Sequence, residues 1–321
     1  MTRILAYRFS AFGDVAMTVP VLTEFLEQNP SVEIIMVSRN SFKDLFAGIP
    51  NLLFKGIEID DYKGFMGMHK LSEELLYEFN FQYVADLHDV IRTKILDRIF
   101  SRKGFRVFKI NKGKDEKEKL TDIWNLNKKQ LKPTTERYAE VFREMGFALE
   151  LSHQLRPTVG SKSGIGIAPF AQHKGKMLPL EKMVEVARIL SKHHKIYFFG
   201  GGKSEIDILN HWKSQIPNSE NLAGTLRLHQ ELEKIASLKL MISMDSANMH
   251  LASLVGTRCV SIWGSTHPFA GFLGYGQSIE DAVQIKDLTC RPCSVFGDKV
   301  CYRGDWACLE EVSVQQILDK I

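Results

Sequence analysis

The sequence repeats one pattern, in which short runs of apolar and β-branched residues alternate with longer stretches of helical periodicity. In the first half the short runs cover residues 4–9, 32–37 and 83–87. Strands that are joined by helices run parallel, because a crossover helix returns the chain to the edge of the sheet from which it left. The pattern therefore predicts a parallel sheet with helices on both faces.

The same pattern restarts in the second half of the chain. Strands are predicted over residues 165–168, 196–199 and 240–244, and a helix over 180–190. A stretch rich in Pro, Ser, Lys and Gly over 157–164 separates the two halves and is typical of a linker.

A chain of 321 residues is long enough for two domains. We expect Rossmann-like domains over residues 1–157 and 158–321, facing each other across a central cleft. In open parallel sheets a ligand binds beyond the carboxyl ends of the strands, so the loops after the strands are the places to look for function.

Composition and pattern exclude several classes of protein. The net charge of +4 is too small for a nucleic-acid-binding protein. The N-terminus lacks the pattern of a signal peptide, and no apolar run approaches the roughly 20 residues of a membrane span, which favours a cytoplasmic protein. Gly200, Gly201 and Gly202 lack the spacing of a dinucleotide-binding loop, which argues against an NAD-linked oxidoreductase.

The loop after the first predicted strand contains Ser10, Gly13 and Asp14 and leads into a helix. An aspartate at this position caps the helix or complements its dipole. The same carboxylate also points toward the predicted cleft, where it suits a general base that accepts a proton from a hydroxyl. Position alone favours capping over catalysis.

Three loops of the second half suit a phosphate-bearing ligand. In the first, Lys176 precedes a helix, where an ammonium and the helix dipole together favour a diphosphate. In the second, small residues let phosphate oxygens approach the main chain, and a carboxylate can hold a sugar hydroxyl; a histidine there serves equally well as a ligand contact or as a core residue. The candidate donor-side residues are Lys176, Asp245, Ser246, Ala247, His250 and, from the third loop, Thr266.

These motifs resemble those of glycosyltransferase family 9, the ADP-heptose:lipopolysaccharide heptosyltransferases. The family pattern Ser-x-x-Gly-Asp followed by a helix with Pro, its Lys-x-Trp-Pro segment, its Asp-Ser/Thr-Gly-x-x-His-Leu motif and its Gly-x-Thr-x-Pro segment occur in the right order. The matching residues are Ser10, Gly13, Asp14 and Pro20; Lys176 and Pro179; Asp245, Ser246, His250 and Leu251; and Gly264, Thr266 and Pro268. The chain departs from the family at Leu178, Ala247 and Asn248.

The resemblance implies a GT-B fold with an N-terminal acceptor domain and a C-terminal nucleotide-sugar domain. It implies an inverting transfer that needs no metal, from an ADP-heptose-like donor to an anionic lipid-saccharide acceptor of the lipopolysaccharide core. It makes Asp14 the general base, which reverses the preference for capping. It also assigns Lys176 to the donor phosphate, Asp245 to donor hydroxyls, and Ser10, Gly13 and Arg92 to the acceptor side.

Positive charge is concentrated between Arg102 and Lys132, where eleven Lys or Arg face four acids. We expect this stretch to be a mobile loop or a solvated helix of the acceptor half. A solvated linker and a surface that contacts the anionic acceptor, or the cytoplasmic face of the inner membrane, are equally compatible with it.

Four cysteines, Cys290, Cys293, Cys301 and Cys308, lie close together near the C-terminus. In a reducing cytoplasm they favour a structural zinc site over disulfides, and four unligated thiols remain an alternative. Two other functions stay open besides the transfer of a heptose: another GT-B nucleotide-sugar enzyme, with a different donor or with epimerase activity, and a sugar-nucleotide-binding protein without catalysis.

Overall fold

The computed structural model describes residues 1–157 and 160–321, and the chain forms two compact units. The first unit comprises Met1–Lys112 and Thr134–Ser152, and the second comprises Gly113–Pro133 and His153–Ile321. The linker predicted over 157–164 and the division predicted between residues 157 and 158 involve Thr158 and Val159, which lie outside the described residues.

The first unit is built on a sheet of five strands that all run parallel, in the order β3-β2-β1-β4-β5. The central strand is almost fully buried, as expected for a parallel sheet covered on both faces. Its strands are β1 (Thr2–Tyr7), β2 (Val32–Arg39), β3 (Leu52–Ile57), β4 (Tyr83–Asp86) and β5 (Arg106–Lys109). Its helices are α1 (Phe12–Ala16), α2 (Thr18–Gln28), α3 (Gly64–Glu78), α4 (Ile91–Arg102) and α6 (Thr134–Glu144), with 3-10 turns at Asn40–Phe46 and Ile59–Asp61.

The second unit holds a parallel sheet of six strands in the order β11-β10-β9-β6-β7-β8. Its strands are β6 (Ile165–Ala168), β7 (Ile196–Phe198), β8 (Ser219–Asn221), β9 (Leu240–Met244), β10 (Cys259–Ile262) and β11 (Ala282–Val283). Its helices are α5 (Lys114–Thr121), α7 (Leu180–Leu190), α8 (Lys203–Gln215), α9 (Leu228–Ala236), α10 (Ala247–Leu254), α11 (Ala307–Glu310) and α12 (Val314–Leu318). Its 3-10 turns are Lys174–Lys176, Pro268–Ala270 and Ile279–Asp281.

The predicted fold class, two parallel α/β units of Rossmann type, is confirmed. In each sheet the chain builds outward from a central strand in one direction and then returns to build in the other. The reversal falls between β1 and β4 in the first unit and between β6 and β9 in the second. At such a switch point the two loops that follow the strands diverge and leave an opening, which is where parallel sheets bind their ligands.

The basic stretch differs from the expectation in two ways. Its C-terminal part, residues 113–133, packs with the second unit and not with the predicted acceptor half. It is also ordered, because Leu120 is buried, the Lys117 ammonium lies 4.3 Å from the centre of the Phe272 ring, and the Leu131 N–H donates to the Phe269 carbonyl. A charged helix can pack in this way when lysine stems cover apolar surface and keep their ammonium groups on aromatic faces.

Within the described residues no helix is long and apolar enough to cross a bilayer.

A pair of buried carboxyl groups lies under the switch point of the first unit. Asp86 ends β4 and is fully buried, and its Oδ1 accepts the N–H groups of His88 and Asp89 at 2.7 and 2.9 Å. Asp97, on α4, accepts the hydroxyl of Tyr7 and lies within hydrogen-bond reach of Asp86. Burial and then the neighbouring Asp86 charge raise the pKa of Asp97 to about 7. At neutral pH and below, one proton on Asp97 therefore relieves the repulsion between the two carboxylates.

We predict that Asp97→Asn stabilises the protein relative to wild type as the pH rises. An unfolded aspartate loses its proton near pH 4, whereas folded Asp97 retains its proton until about pH 7. Wild-type stability should therefore fall across this interval. The neutral amide avoids this loss, so the difference in unfolding free energy between variant and wild type should grow by on the order of 2 kcal/mol from pH 5 to pH 8. Urea denaturation at both pH values measures it, with the exposed Asp115→Asn as control; equal pH dependence in all three proteins would contradict the prediction.

Candidate functional site

A buried arginine organises the switch point of the first unit. Arg8 follows β1 and is only 5% exposed. Its Nη1 donates to the Leu87 carbonyl at 2.6 Å, its Nη2 lies 2.9 Å from Oδ2 of Asp14, and its guanidinium lies 5.5 Å from the centre of the Tyr138 ring. The arginine therefore ties the loop after β4 to the first turn of α1, and it holds the Asp14 carboxylate in place.

Asp14 occupies the third position of α1, and its carboxylate has two partners. Besides Arg8, it accepts the N–H of Ala11 at 3.4 Å, a distance at the long end of the hydrogen-bond range. The side chain is 26% exposed. The weak contact to Ala11 satisfies a free N–H at the helix start, but the short, charge-assisted contact is the one to Arg8. The carboxylate thus stays open to a hydroxyl group from solvent.

His88 lies beside this pair and is uncharged at neutral pH. Its Nδ1 accepts the N–H of Phe9 and its Nε2 lies 3.4 Å from the hydroxyl oxygen of Ser10. Burial, followed by the charges of Arg8 and Lys112, lowers the pKa of His88 to about 3. Burial also lowers the pKa of Lys112, whose ammonium donates to the Asp89 carbonyl at 3.2 Å. Arg8 and Lys112 therefore place positive charge beside the Asp14 carboxylate at this edge of the first sheet.

The predicted acceptor-side residues take different positions around this edge. Ser10 contacts His88, as described above, and Gly13 lies within α1, where its carbonyl accepts the N–H of Met17. Arg92 is exposed near the start of α4, and its charge contributes to the lowered pKa of His88. Ser10 thus lies on the loop after β1, and Gly13 and Arg92 lie in the first turns of the helices that follow β1 and β4.

An ion pair marks the switch point of the second unit. Lys176 lies in the loop after β6 and Asp245 in the loop after β9, and the lysine Nζ is 3.0 Å from Oδ2 of the aspartate. Asp245 is nearly buried, with a side chain 6% exposed, and the Lys176 side chain is 18% exposed. An ammonium has three N–H donors, so Asp245 orients the group and leaves donors for a second anion.

Three of the other predicted donor-side residues lie at or within α10, and the fourth, Thr266, lies in the loop after β10. Ser246 precedes the helix, and its hydroxyl lies 3.2 Å from that of Ser243. Ala247 begins the helix and His250 is buried within it. The hydroxyl oxygen of Thr266 is buried without a hydrogen-bond partner in the structure. A buried polar atom of this kind can form a hydrogen bond with a ligand or a water molecule.

A cavity of about 670 Å³ opens in the second unit beside the loop that follows β10. Burial and the charges of Arg291 and Lys128 lower the pKa of His267 to about 3, and its Nδ1 accepts the Phe269 N–H at 3.0 Å. The neutral ring therefore carries its proton on Nε2 and acts as a donor. The Oε1 of Gln284 is buried without a partner. The lining residues are Asn125, Leu126, Lys128, His267, Phe269, Ile279, Gln284, Lys286, Asp287, Leu288, Thr289 and Arg291.

The four clustered cysteines line one small cavity together with Asp305 and Trp306. All of them are free thiols. Across residues 1–157 and 160–321, no group of three or more His, Cys, Asp or Glu side chains is arranged to hold a metal ion. The four thiols are therefore neighbours, and the structural zinc that their spacing suggests stays a prediction.

Comparison with protein families decides between the classes of function left open by the geometry. Residues 114–299, more than half of the chain, match the model of glycosyltransferase family 9, described as heptosyltransferase. The chain belongs to glycosyltransferase family 9. The resemblance predicted from the motifs is thereby confirmed, and so is the prediction that the protein is a glycosyltransferase enzyme.

Relatives of this family 9 glycosyltransferase match it over nearly its whole length. Lipooligosaccharide heptosyltransferase 2 of Campylobacter jejuni is 24% identical over 96% of this chain and 95% of its own. The crystal structure of a family 9 glycosyl transferase from Veillonella parvula has a TM-score of 0.76 at 16% identity and covers 99% of this chain and 96% of its own. The Escherichia coli heptosyltransferase WaaC with ADP has a TM-score of 0.68 at 18% identity, over 86% of this chain and 92% of its own. At these identities the structural matches establish the shared fold.

Two arginines of this glycosyltransferase were not assigned roles by the sequence motifs. Arg8 stands at the end of an apolar strand, and Arg291 stands between two cysteines of a Cys-x-x-Cys pair. A charged residue inside an otherwise apolar strand is a signal of a buried, paired group, and for Arg8 it was available in the sequence. For Arg291 no such signal was present, because its neighbours are cysteines, and their spacing favours a structural metal site.

Proposed function

We propose that this enzyme transfers a heptose, or a closely related sugar, from an ADP-sugar to the inner core of a lipopolysaccharide, with inversion at the anomeric carbon. The single observation that carries the proposal is the Lys176–Asp245 ion pair at the switch point of the second sheet. A diphosphate fits there, because an ammonium with free donors lies beside the N-terminus of α10. The family match and the heptosyltransferase relatives support the sugar and the acceptor.

In the proposed reaction Asp14 is the base and the second unit receives the leaving group. An acceptor hydroxyl attacks the anomeric carbon from the face opposite to ADP, and its proton passes to the Asp14 carboxylate. The bond between the anomeric carbon and the phosphate oxygen breaks, and ADP takes the electron pair. Lys176 offsets the charge that develops on the phosphate, while Asp245 orients Lys176 and accepts from donor hydroxyls. The first unit would thus bind the reacting hydroxyl of the acceptor, and the second unit would bind the nucleotide sugar.

An anionic acceptor is supported by the charges around both candidate regions. In the first unit Arg8 pairs with Asp14, and the charges of Arg92 and Lys112 lie close enough to help lower the pKa of the neighbouring His88. In the second unit the 670 Å³ cavity offers lysines, a histidine N–H and the free oxygen of Gln284. The lysine and histidine donors, together with the apolar surface of the cavity, suit a phosphorylated or carboxylated saccharide, and the Gln284 oxygen can accept one of its hydroxyl groups. A lipid-linked acceptor would bring the enzyme to the cytoplasmic face of the inner membrane.

Replacement of the base provides the first test. Asp14→Asn should lower kcat about 10²- to 10⁴-fold, the range expected for loss of a general base. Affinity for ADP should stay unchanged, because Asp14 belongs to the first unit and the nucleotide is proposed to bind the second. Transfer from ADP-heptose to heptose-deficient lipopolysaccharide measures kcat, and calorimetry measures ADP affinity.

The exposed Asp60→Asn serves as the control in this assay, and the melting temperature of each variant shows that it is folded. Full activity of Asp14→Asn would rule out the assigned base. If the wild-type enzyme transferred sugar from UDP- or GDP-sugars but not from ADP-heptose, the assignment of an ADP-sugar donor would be wrong. ADP binding without turnover on any acceptor would favour the binding protein over the enzyme.

We expect the transfer to proceed without a metal ion. The ammonium of Lys176 and the N–H groups at the start of α10 can stabilise the charge of the departing ADP, so a divalent cation is not required. Dialysis against EDTA should leave the rate within about twofold of the untreated enzyme. A large loss that Mg²⁺ or Mn²⁺ restores would contradict this expectation. Elemental analysis of the undialysed protein tests the structural zinc, with one zinc per chain as the result that would support it.

The cavity beside the β10 loop can be tested through its lysine. Lys286→Gln should raise the KM for the lipopolysaccharide acceptor about fivefold, because one charge-assisted contact to the anionic saccharide is lost. The KM for the ADP-sugar should not change. Lys129→Gln removes the same charge from an exposed lysine of the same unit that does not line the cavity. Equal acceptor KM values in the two variants would exclude the cavity as an acceptor site.

A further inference from the structure

The cysteine-rich segment, residues 290–308, is attached to the loops that carry the proposed donor site. Its Arg291 is 5% exposed, and the guanidinium donates to the carbonyl oxygens of Gly264 at 2.6 Å and Thr266 at 2.7 Å. It also donates to the carbonyl of Ile285 at 2.8 Å. A buried guanidinium whose planar set of N–H groups is directed at main-chain oxygens fixes the shape of the loop around it. The cysteine-rich segment therefore fixes the conformation of the loop after β10 through these hydrogen bonds.

The same loop connects the cysteine-rich segment to the residue before Lys176. The N–H and the hydroxyl of Ser265 both donate to the carbonyl of Gly175 at 2.8 Å. The Ser265 carbonyl in turn accepts the N–H groups of Cys293 at 3.1 Å and Ser294 at 3.3 Å. Hydrogen bonds thus run without interruption from the segment, through Ser265, to the main chain that carries the lysine.

A second contact reaches the lysine side chain directly. The fully buried Ser294 accepts the N–H of Gly297 at 2.8 Å and donates to Asp298 at 2.7 Å, which forms a tight turn. A Cβ atom on Gly297 would overlap Cγ of Lys176 and lie 2.7 Å from its Cδ. The aliphatic stem of Lys176 therefore rests on the bare main chain of Gly297, and its far end reaches Asp245 at 3.0 Å.

We infer that the cysteine-rich segment is the positioning element of the donor site, in which Gly297 supports the stem of Lys176 so that the ammonium meets Asp245 and the donor diphosphate. Gly297 touches no reacting atom in this scheme and acts through Lys176, so it is a positioning residue. The identity of the ligand, a donor diphosphate, rests on the proposed function, whereas the placement of Lys176 by Gly297 is independent of it.

The chain offers a matched pair of variants. Gly297→Ala inserts a methyl group against Lys176 and must displace the lysine stem. Gly304→Ala lies in the same segment, and a Cβ there would meet nothing within 4 Å. The two glycines have almost the same φ, +78° and +79°, so alanine imposes the same backbone strain at both. A difference between the variants therefore reports the contact with Lys176.

Calorimetric titration with ADP measures the consequence for the donor site. We expect Gly297→Ala to bind ADP about tenfold more weakly than Gly304→Ala, because the ammonium no longer stands where the diphosphate needs it. The melting temperatures of the two variants should agree. Equal ADP affinities in the two variants would overturn the inference.

A labelling experiment tests the position of Lys176 without any ligand. Trace acetylation with acetic anhydride, followed by mass spectrometry, gives the reactivity of each lysine amine relative to the others. We expect the reactivity of Lys176 to rise severalfold in Gly297→Ala and to stay at the wild-type level in Gly304→Ala, because an ammonium held by a carboxylate reacts slowly. Unchanged reactivity of Lys176 in Gly297→Ala would overturn the inference, whatever the donor is. Failure of the wild-type protein to bind ADP would count against the proposed donor alone.

Ser294→Ala repeats the test if Gly297→Ala does not fold. This change removes the hydroxyl that holds the N–H of Gly297 and keeps the glycine itself. Its control is Ser278→Ala, which removes a hydroxyl from the N-terminus of the Ile279–Asp281 turn in the same unit. The inference predicts weaker ADP binding and faster acetylation of Lys176 in Ser294→Ala only, and identical results in the two serine variants would overturn it.

Discussion

At the carboxyl edge of each sheet, a buried arginine holds a loop of the candidate site. A buried guanidinium is costly unless its N–H groups find acceptors: Arg8 uses the Leu87 carbonyl and the Asp14 carboxylate, and Arg291 uses main-chain carbonyls, among them those of Gly264 and Thr266. The loops are thereby held in one shape, because a change of loop conformation would leave a desolvated charge without partners. Arg8 gives Asp14 its position, and Arg291 supports the loop that reaches toward Lys176.

In the proposed transfer the two switch points would have different roles. The first presents a carboxylate held by an arginine and partly open to solvent, which would suit it to accept a proton. The second presents an ammonium held by a nearly buried carboxylate, which would suit it to bind a diphosphate. In both pairs the partner charge orients the proposed functional group, which keeps hydrogen-bonding capacity for a substrate.

The apolar patterns in the sequence predicted several strands and helices correctly. The strands Ile165–Ala168 and Leu240–Met244 and the helix Leu180–Leu190 have the predicted bounds, because burial on both faces of a parallel sheet leaves a continuous apolar run and a helix leaves an apolar stripe. The pairing of Lys176 with Asp245 also follows from parallel topology, since loops after neighbouring strands meet at one edge.

Features that depend on contacts distant in sequence could not be predicted in this way. The segment 113–133 is nearly free of apolar residues at its start, and its contacts with distant residues such as Phe269, Phe272 and Tyr302 make it part of the second unit. The role of Arg291 likewise depends on carbonyl groups that lie more than twenty residues before it. The spacing of the four cysteines did predict that they are neighbours around one small cavity, because they lie close together in sequence.

The packing of residues 113–133 with the second unit also has a consequence for synthesis on the ribosome. The first unit is complete once Ser152 has emerged, and N-terminal units generally fold first. At that stage residues 113–133 form a loop between two finished parts of the first unit, without their contacts to Phe269 and Phe272. Phe269 and Phe272 are translated more than a hundred residues later. The nascent chain must therefore carry an open, lysine-rich loop for most of the time needed to make its second half.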